Sequence, residues 1–287
     1  MTTVALFGAG GKMGCRITDN LMRHPAYRML YVETGPAGLE QLKERGLSAT
    51  PYAESVPEAD AIVLAVPDAL VGFVASEQAV PLARPGTLVV CLDPAAPFAG
   101  VLPARSDVTY FVTHPCHPSV FLRSADPSVL DDYFGGVRAP QHIVCALMQG
   151  PEPDYARGEA LARDMFAPVL NAYRVTVEQM ALLEPALSET VAATCLTVVR
   201  EAMDEAIRRG VPAEAAREFL LGHIRINLAM FFGVIDTPLS DGAQLAVARA
   251  KKELFRPDWK RVFEPEALLE SIRAITQAES AGRARRR

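Results

Sequence analysis

The sequence predicts an α/β fold in which a doubly wound sheet is followed by an all-α C-terminal domain. Short β-branched runs alternate with helical patterns from the N-terminus to residue 175. A glycine-rich turn separates the first of those runs from the first helix, and strand patterning stops at Thr176. At 287 residues the chain is long enough for two domains, and these signals divide it into residues 1–175 and 176–287.

"VALFG" (4–8) and "MLYVE" (29–33) read as strands flanking a helix over about 12–24. "AIVLAV" (61–66), "TLVVCL" (87–92) and "TYFVT" (109–113) continue the series. Continuously apolar runs of this length suit strands covered on both faces, as in a parallel sheet. "HIVCALMQ" (142–149) adds a strand, a helix follows near 154–170, and "AYRV" (172–175) is placed at an edge. Thr176 and Gln179 then form a capping box, Thr176 as N-cap and Gln179 at the third helical position. The helical pattern it opens runs to Gly210, and Pro185 is expected to kink it or to mark a short turn before a second start, since proline has no N–H and crowds the preceding turn. Further helices are expected over 212–232, 240–254 and 264–278, and the tail "AGRARRR" (281–287) reads as a solvated, unstructured end.

Composition narrows the function classes. Half of the residues are hydrophobic, 22% are charged and the net charge is −5, so no basic field draws nucleic acid or anionic lipid. Five scattered cysteines without a C-x-x-C pair argue against a disulfide framework or a zinc ribbon, and fit a reducing cytoplasm. The N-terminus enters a strand directly, without the basic region of a secretory signal. The most apolar run, "AIVLAVPDALVGFVA", is broken by Pro67 and Asp68 and is too short to span a bilayer. Neither a membrane nor a nucleic acid is expected as partner.

"VALFGAGGKMG" is a strand, a glycine turn and a helix start, the Rossmann-type context in which glycines bind a dinucleotide. Gly8, Gly10 and Gly11 let backbone approach a pyrophosphate, Gly14 lets helix pack closely on strand, and Lys12 and Met13 open the helix that faces the phosphates. Met13 stands where a strict G-x-G-x-x-G has its third glycine, so the spacing reads better as G-x-x-G-x-x-G through Gly8, Gly11 and Gly14. Glu33, ending the second strand, can accept hydrogen bonds from ribose hydroxyls and repels a 2′-phosphate, which favours NAD over NADP; a plain surface glutamate at a strand end is the bland alternative. Val66, Pro67 and Asp68 leave the next strand at the same edge, as cofactor contacts or as a plain turn.

"THPCHPSVF" (113–121) puts two of the five histidines three positions apart, each followed by a proline that stiffens the loop. Leaving a strand at the carboxyl edge, the loop faces the expected cofactor crevice. There an imidazole can take a proton from an alcohol or ligate a metal, and ordinary loop chemistry is the bland alternative. In "ALLEPALSETVAATC", Glu184 and Ser188 share a helix face among apolar neighbours, as a site or as a solvated stripe. His223 and Asn227 read as core or interface groups, and Lys251 and Lys252, near the single Trp259, as an exposed basic turn or a partner for a substrate carboxylate.

The glycine turn, "LVVCLDPAAP" (88–97), "THPCHP" (113–118) and "VTVEQMALLEPALSETVAAT" (175–194) together resemble the D-apionate oxidoisomerases, a branch of the 6-phosphogluconate dehydrogenase-like superfamily. The likeness spans nearly the whole chain. It implies an NAD-binding Rossmann domain, a helical domain that forms a homodimer, and conversion of a branched sugar acid, D-apionate, to 3-oxo-isoapionate, in which alcohol oxidation is coupled to an α-ketol-type shift. With it come a divalent metal (zinc, manganese or magnesium) held by His117 and Glu184, His114 as acid/base or third ligand, and Ser188 at the same site. The lysine-plus-asparagine helix motif of β-hydroxyacid dehydrogenases is absent where "EPALSETVAAT" stands, which disfavours lysine-assisted chemistry. The rival readings are a hydroxyacid dehydrogenase without rearrangement and an NAD-binding sensor without turnover.

Overall fold

A computed structural model describes the backbone of residues 1–284 and the side chains through residue 274. Seven strands form one sheet: β1 (Thr2–Phe7), β2 (Tyr27–Val32), β3 (Ala61–Leu64), β4 (Leu88–Cys91), β5 (Thr109–Pro115), β6 (Gln141–Gln149) and β7 (Val169–Arg174). Their order is β2-β1-β3-β4-β5-β6-β7. The order reverses at β1, so a crevice opens between the carboxyl ends of β1 and β3, the place where doubly wound sheets take ligands.

Alternate residues of each strand face opposite sides, and both sides are covered. Val4, Leu6, Val63, Val90 and Phe111 pack with Ile17 and Leu21 of α1 (Lys12–Leu21). Ala5, Phe7, Ile62, Leu64, Val89 and Val112 form the core of the other face. Burial of each such Leu, Ile or Phe contributes roughly 1.5–3 kcal/mol, and this fixes the register of the sheet. Two further helices complete the sheet layers near the crevice, α2 (Pro36–Glu44) and α3 (Asp68–Val74), and α4 (Pro153–Met165) packs Leu161 and Met165 on the α1 side.

The expected parallel series is corrected at β6, which runs antiparallel to β5, while β7 is again parallel to β6. The segment between β5 and β6 makes only the short helical turn Pro127–Leu130. It stays at the carboxyl edge, bound to α1 through Arg16 and Asn20, so β6 starts where β5 ends and returns.

The Thr176 capping box is present, both of its hydrogen bonds included, and opens α5 (Val177–Ala181). At Pro185 the helix widens rather than kinks: Leu182–Ala193 forms a π-helical stretch, and the Thr190 hydroxyl donates to the Pro185 carbonyl at 2.7 Å. It continues as α6 (Thr194–Arg208). The chain packs as two compact units, residues 1–184 with the chain from Leu269, and residues 185–268. The first therefore extends beyond the expected end at residue 175, because Val177 and Met180 of α5 are buried in the sheet core.

Within the second unit α6 turns back at Gly210, whose φ of 102° suits glycine, into α7 (Ala213–Phe231), and α8 (Asp241–Leu254) is capped by Ser240. The final helix, α9 (Pro265–Ala284), outlasts its expected end at 278 and makes residues 281–284 of the tail helical, as its Ala, Arg and Glu content allows. Residues 285–287 lie outside the described part.

Candidate active site

The glycine turn closes on itself through a bond from the Gly11 amide to the Gly8 carbonyl at 2.9 Å. Gly8 sits at φ 71°, and a Cβ there would meet the Ala65 carbonyl oxygen at 2.4 Å, so only glycine lets β1 turn against the end of β3. Gly10 donates its amide to Glu33 Oε2 at 3.1 Å, while Oε1 accepts from Thr34 and Gly35, both at 2.8 Å. Glu33 thus clasps the turn to the β2–α2 connection, a part not expected from sequence. Val66 packs beside Gly8, and Pro67 and Asp68 start α3 at the crevice edge. Lys12 is exposed at the first position of α1, and Met13 packs half-buried against the core.

Across the sheet from this turn, the carboxyl ends of β4 and β5 lie side by side, since Cys91 pairs with Val112. Asp93 follows β4, and its Oδ1 accepts the Ala95 amide at 2.7 Å, which fixes the carboxylate at the edge. His114 is the penultimate residue of β5. Its Nδ1 lies 2.8 Å from the Leu92 carbonyl. A carbonyl only accepts, so Nδ1 carries the proton in that bond, and in the neutral ring Nε2 keeps a lone pair. Nε2 lies 3.6 Å from Glu184 Oε2, and Nδ1 lies 3.6 Å from Asp93 Oδ2.

One ligand atom from each of Asp93, His114 and Glu184 falls within 4.8 Å of the others. A neutral imidazole lone pair facing a carboxylate leaves two electron-rich groups in apposition, and a cation relieves that. One nitrogen and two carboxylates, with the second imidazole nitrogen bound to a carbonyl, is a donor set that fits a divalent ion. Asp93 was not singled out from sequence; the readable signal was a carboxylate directly after the strand in "VVCLDP".

His117, the expected ligand, is outside that trio. It is the one non-glycine residue at positive φ (59°) among the described residues, and its Nδ1 donates to the Phe134 carbonyl at 2.9 Å. Its ring centroid is 6.3 Å from that of His114. Cys116, between the histidines, is held as a thiol: partial burial first, and the Glu184 carboxylate second, push its pKa up. Ser188 lies in the second unit and is exposed. Also in that unit, His223 bonds Phe219 of its own helix, and Lys251, Lys252 and Trp259 line a cavity of about 620 Å³.

Comparison with known proteins places the chain in a family. The family profile "Phosphogluconate dehydrogenase (decarboxylating) C-term" matches residues 123–276. A D-apionate oxidoisomerase of Cupriavidus necator is 53% identical over 95% of this chain and 99% of its own. The chain belongs to the D-apionate oxidoisomerase family. A second member, from Rhizobium rhizogenes, is 51% identical over 96% of this chain and 100% of its own. A solved structure from Cupriavidus necator, described as a semialdehyde dehydrogenase NAD-binding protein in complex with calcium and NAD, superposes with a TM-score of 0.93 at 51% identity, covering 96% of this chain and 99% of that one. The Rossmann-type fold and the helical C-terminal part expected from sequence are those of this family.

Proposed function

We propose that the protein is an NAD-dependent oxidoisomerase converting D-apionate to 3-oxo-isoapionate at the carboxyl edge of β1, β3, β4 and β5. One observation carries the reading: His114, with its tautomer set by the Leu92 carbonyl, turns Nε2 toward Glu184 with Asp93 alongside. Asp93, His114 and Glu184 are the residues that would hold a divalent ion, and the glycine turn with Glu33 and Val66 would hold NAD. When bound, NAD takes up hydride and the ion stabilises negative charge on neighbouring substrate oxygens.

Oxidation at C2 leaves a ketone beside the tertiary alcohol at C3. A hydroxymethyl group then migrates with its bonding electrons from C3 to C2, so that C3 becomes the ketone and the C2 oxygen an alcohol. The net change is one hydride and one proton lost from the substrate. We assign the proton transfer to His117, and one contact supports this: its Nδ1 is occupied by the Phe134 carbonyl, which leaves Nε2 as acceptor and later donor. This exchanges the parts expected for the two histidines, His114 becoming the ligand. Glu33 at the end of β2 disfavours a 2′-phosphate and so selects NAD.

The donor set of one nitrogen and two carboxylates suits zinc, manganese, magnesium or the calcium seen with the relative. Purified protein with NAD and D-apionate should form NADH, give a product whose carbon NMR shows altered connectivity, and lose turnover with chelator. NADH formed with unchanged carbon connectivity would sink the isomerase half, and no NADH the whole reading.

We also propose that a second copy of the chain covers the helices of residues 185–268. By length and composition the helix Val177–Arg208 could cross a membrane, and its most apolar stretch is largely exposed. However, the same helix ends in the ion pairs Arg200–Asp204 and Glu205–Arg208, which suit a protein interface rim better than a bilayer. All five cysteines are free, which supports a cytoplasmic location for the soluble dimer.

A further inference from the structure

We infer that Phe134 is a positioning residue that ties His117 to the cation at the start of the dinucleotide turn; this rests on the NAD-site reading above. The loop between β5 and β6 returns over the start of α1. Its backbone is stitched there by Arg16, which donates to the Gly135 carbonyl at 2.5 Å, and by Asn20, which donates to the Gly136 carbonyl at 3.0 Å and the Met165 carbonyl at 2.9 Å. Asp132 closes the loop by accepting the amides of Val137, Arg138 and Ala139 at 3.2, 2.8 and 3.0 Å.

These bonds hold the backbone whatever side chain stands at 134. The phenyl ring itself does not serve the core, being 44% exposed. It meets instead two cations at the start of α1 and the ring of His117. The Lys12 ammonium lies 3.6 Å from its centroid, the Arg16 guanidinium carbon 4.9 Å, and the His117 ring 5.8 Å at 84°. An aromatic face at those distances attracts both cations, and an edge-to-face imidazole contact fixes the ring of a histidine whose backbone is already in the left-handed region. The carbonyl of the same residue holds His117 Nδ1. One residue thus sets where the cofactor's cation rests and which way the histidine presents Nε2.

The ring can be tested apart from the loop. Phe134→Leu keeps apolar volume and loses the aromatic face, whereas Phe134→Tyr keeps it. Phe134→Leu should weaken NAD about threefold to tenfold, read as Kd by fluorescence titration, and lower kcat with D-apionate, while Phe134→Tyr restores both. Lys12→Met should weaken NAD in the wild-type background and add little in Phe134→Leu, because the two substitutions remove one shared contact. The backbone bonds from Arg16, Asn20 and Asp132 keep the variants folded, and thermal melting checks this; if Phe134→Leu melts early, Phe134→Met serves the same cycle.

Equal behaviour of the Leu and Tyr variants, or additive losses in the Lys12 cycle, overturns the proposal. Wild-type protein that binds NAD but leaves D-apionate unchanged overturns the substrate reading alone, since the binding cycle still decides Phe134. Wild-type protein that fails to bind NAD overturns both.

Discussion

In residues 1–184 the apolar side chains of β1, β3 and β4 are almost wholly hidden, whereas in residues 185–268 Leu196, Phe219, Phe231, Phe232, Leu245 and Leu254 each expose more than half of their surface. The first unit closes its own core, and every group of the proposed cation set is fixed by that core: Asp93 by the end of β4, His114 by β5 and Glu184 by the helix that α5 anchors. The second unit has helices without a finished inside. Exposed apolar side chains in that number cost solubility unless covered, so the contrast separates the unit that holds the proposed cation set from the unit proposed to meet a second copy.

The largest expected effect comes from breaking the first part at its most dependent residue. Glu184→Gln removes the charge facing His114 Nε2 while keeping size. It should lower kcat/KM about 10²- to 10³-fold and release the bound divalent ion, measured by turnover and elemental analysis. A variant that keeps both its metal and its rate would show that the trio is a surface cluster.

Next in size is the second part. Phe219→Asp places a charge on the exposed face of α7, where its ring is 70% exposed and stacks on His223 at 4.0 Å. Loss of a buried interface aromatic costs about 2 kcal/mol or more, so the dimer dissociation constant should rise at least about thirtyfold in sedimentation equilibrium. Wild-type protein sedimenting as a monomer would leave the apolar face unexplained by self-association.

A third test asks whether the two parts of the crevice cooperate. Glu33→Gln weakens three backbone bonds, those from Gly10, Thr34 and Gly35, and removes the charge that opposes a 2′-phosphate. NAD affinity should fall about tenfold and the preference over NADP should narrow, both read by titration. Unchanged discrimination between the two cofactors would assign Glu33 to the turn alone.

Much of the first part could be read from the chain because its signals are local. The runs at 61–66 and 87–92 become β3 and β4, and "TVEQ" forms its capping box, since strand burial and caps depend on neighbours a few residues away. What failed to show was set by distant residues. The reversal of β6 follows from bonds between Arg16 and Gly135 and between Asn20 and Gly136, over a hundred positions apart in sequence. Choosing between the two histidines needed the end of β5, which lies at Pro115 and not at 113: His114 is therefore gripped by the sheet, and His117 is left to the loop. Asp93 acquires meaning only through the β4–β5 adjacency.

The smallest and most local effect is expected in acid, in the loop between β5 and β6. Burial of Asp132 opposes its ionisation, but the amides of Arg138, Ala139 and Val137, with Arg16 nearby, outweigh burial and hold its carboxyl below the usual carboxylate range. A carboxyl lowered on folding stabilises the folded form fully above its unfolded value, near 3.9, and that contribution fades as pH falls through the folded value. Amide exchange in residues 132–139 should therefore quicken below about pH 4 before the amides of β1 and β3 respond, by an amount on the order of 1–3 kcal/mol of local stability. Asp126 and Asp154 titrate low as well, so acidity alone does not single out Asp132. Asp132→Asn separates them: it should speed exchange in this loop already at neutral pH and abolish the loop's own acid step. If the loop of the Asn variant still opens with the same pH dependence as wild type, the closure belongs to another carboxylate and the crevice is held at its edge by Arg16 and Asn20 alone.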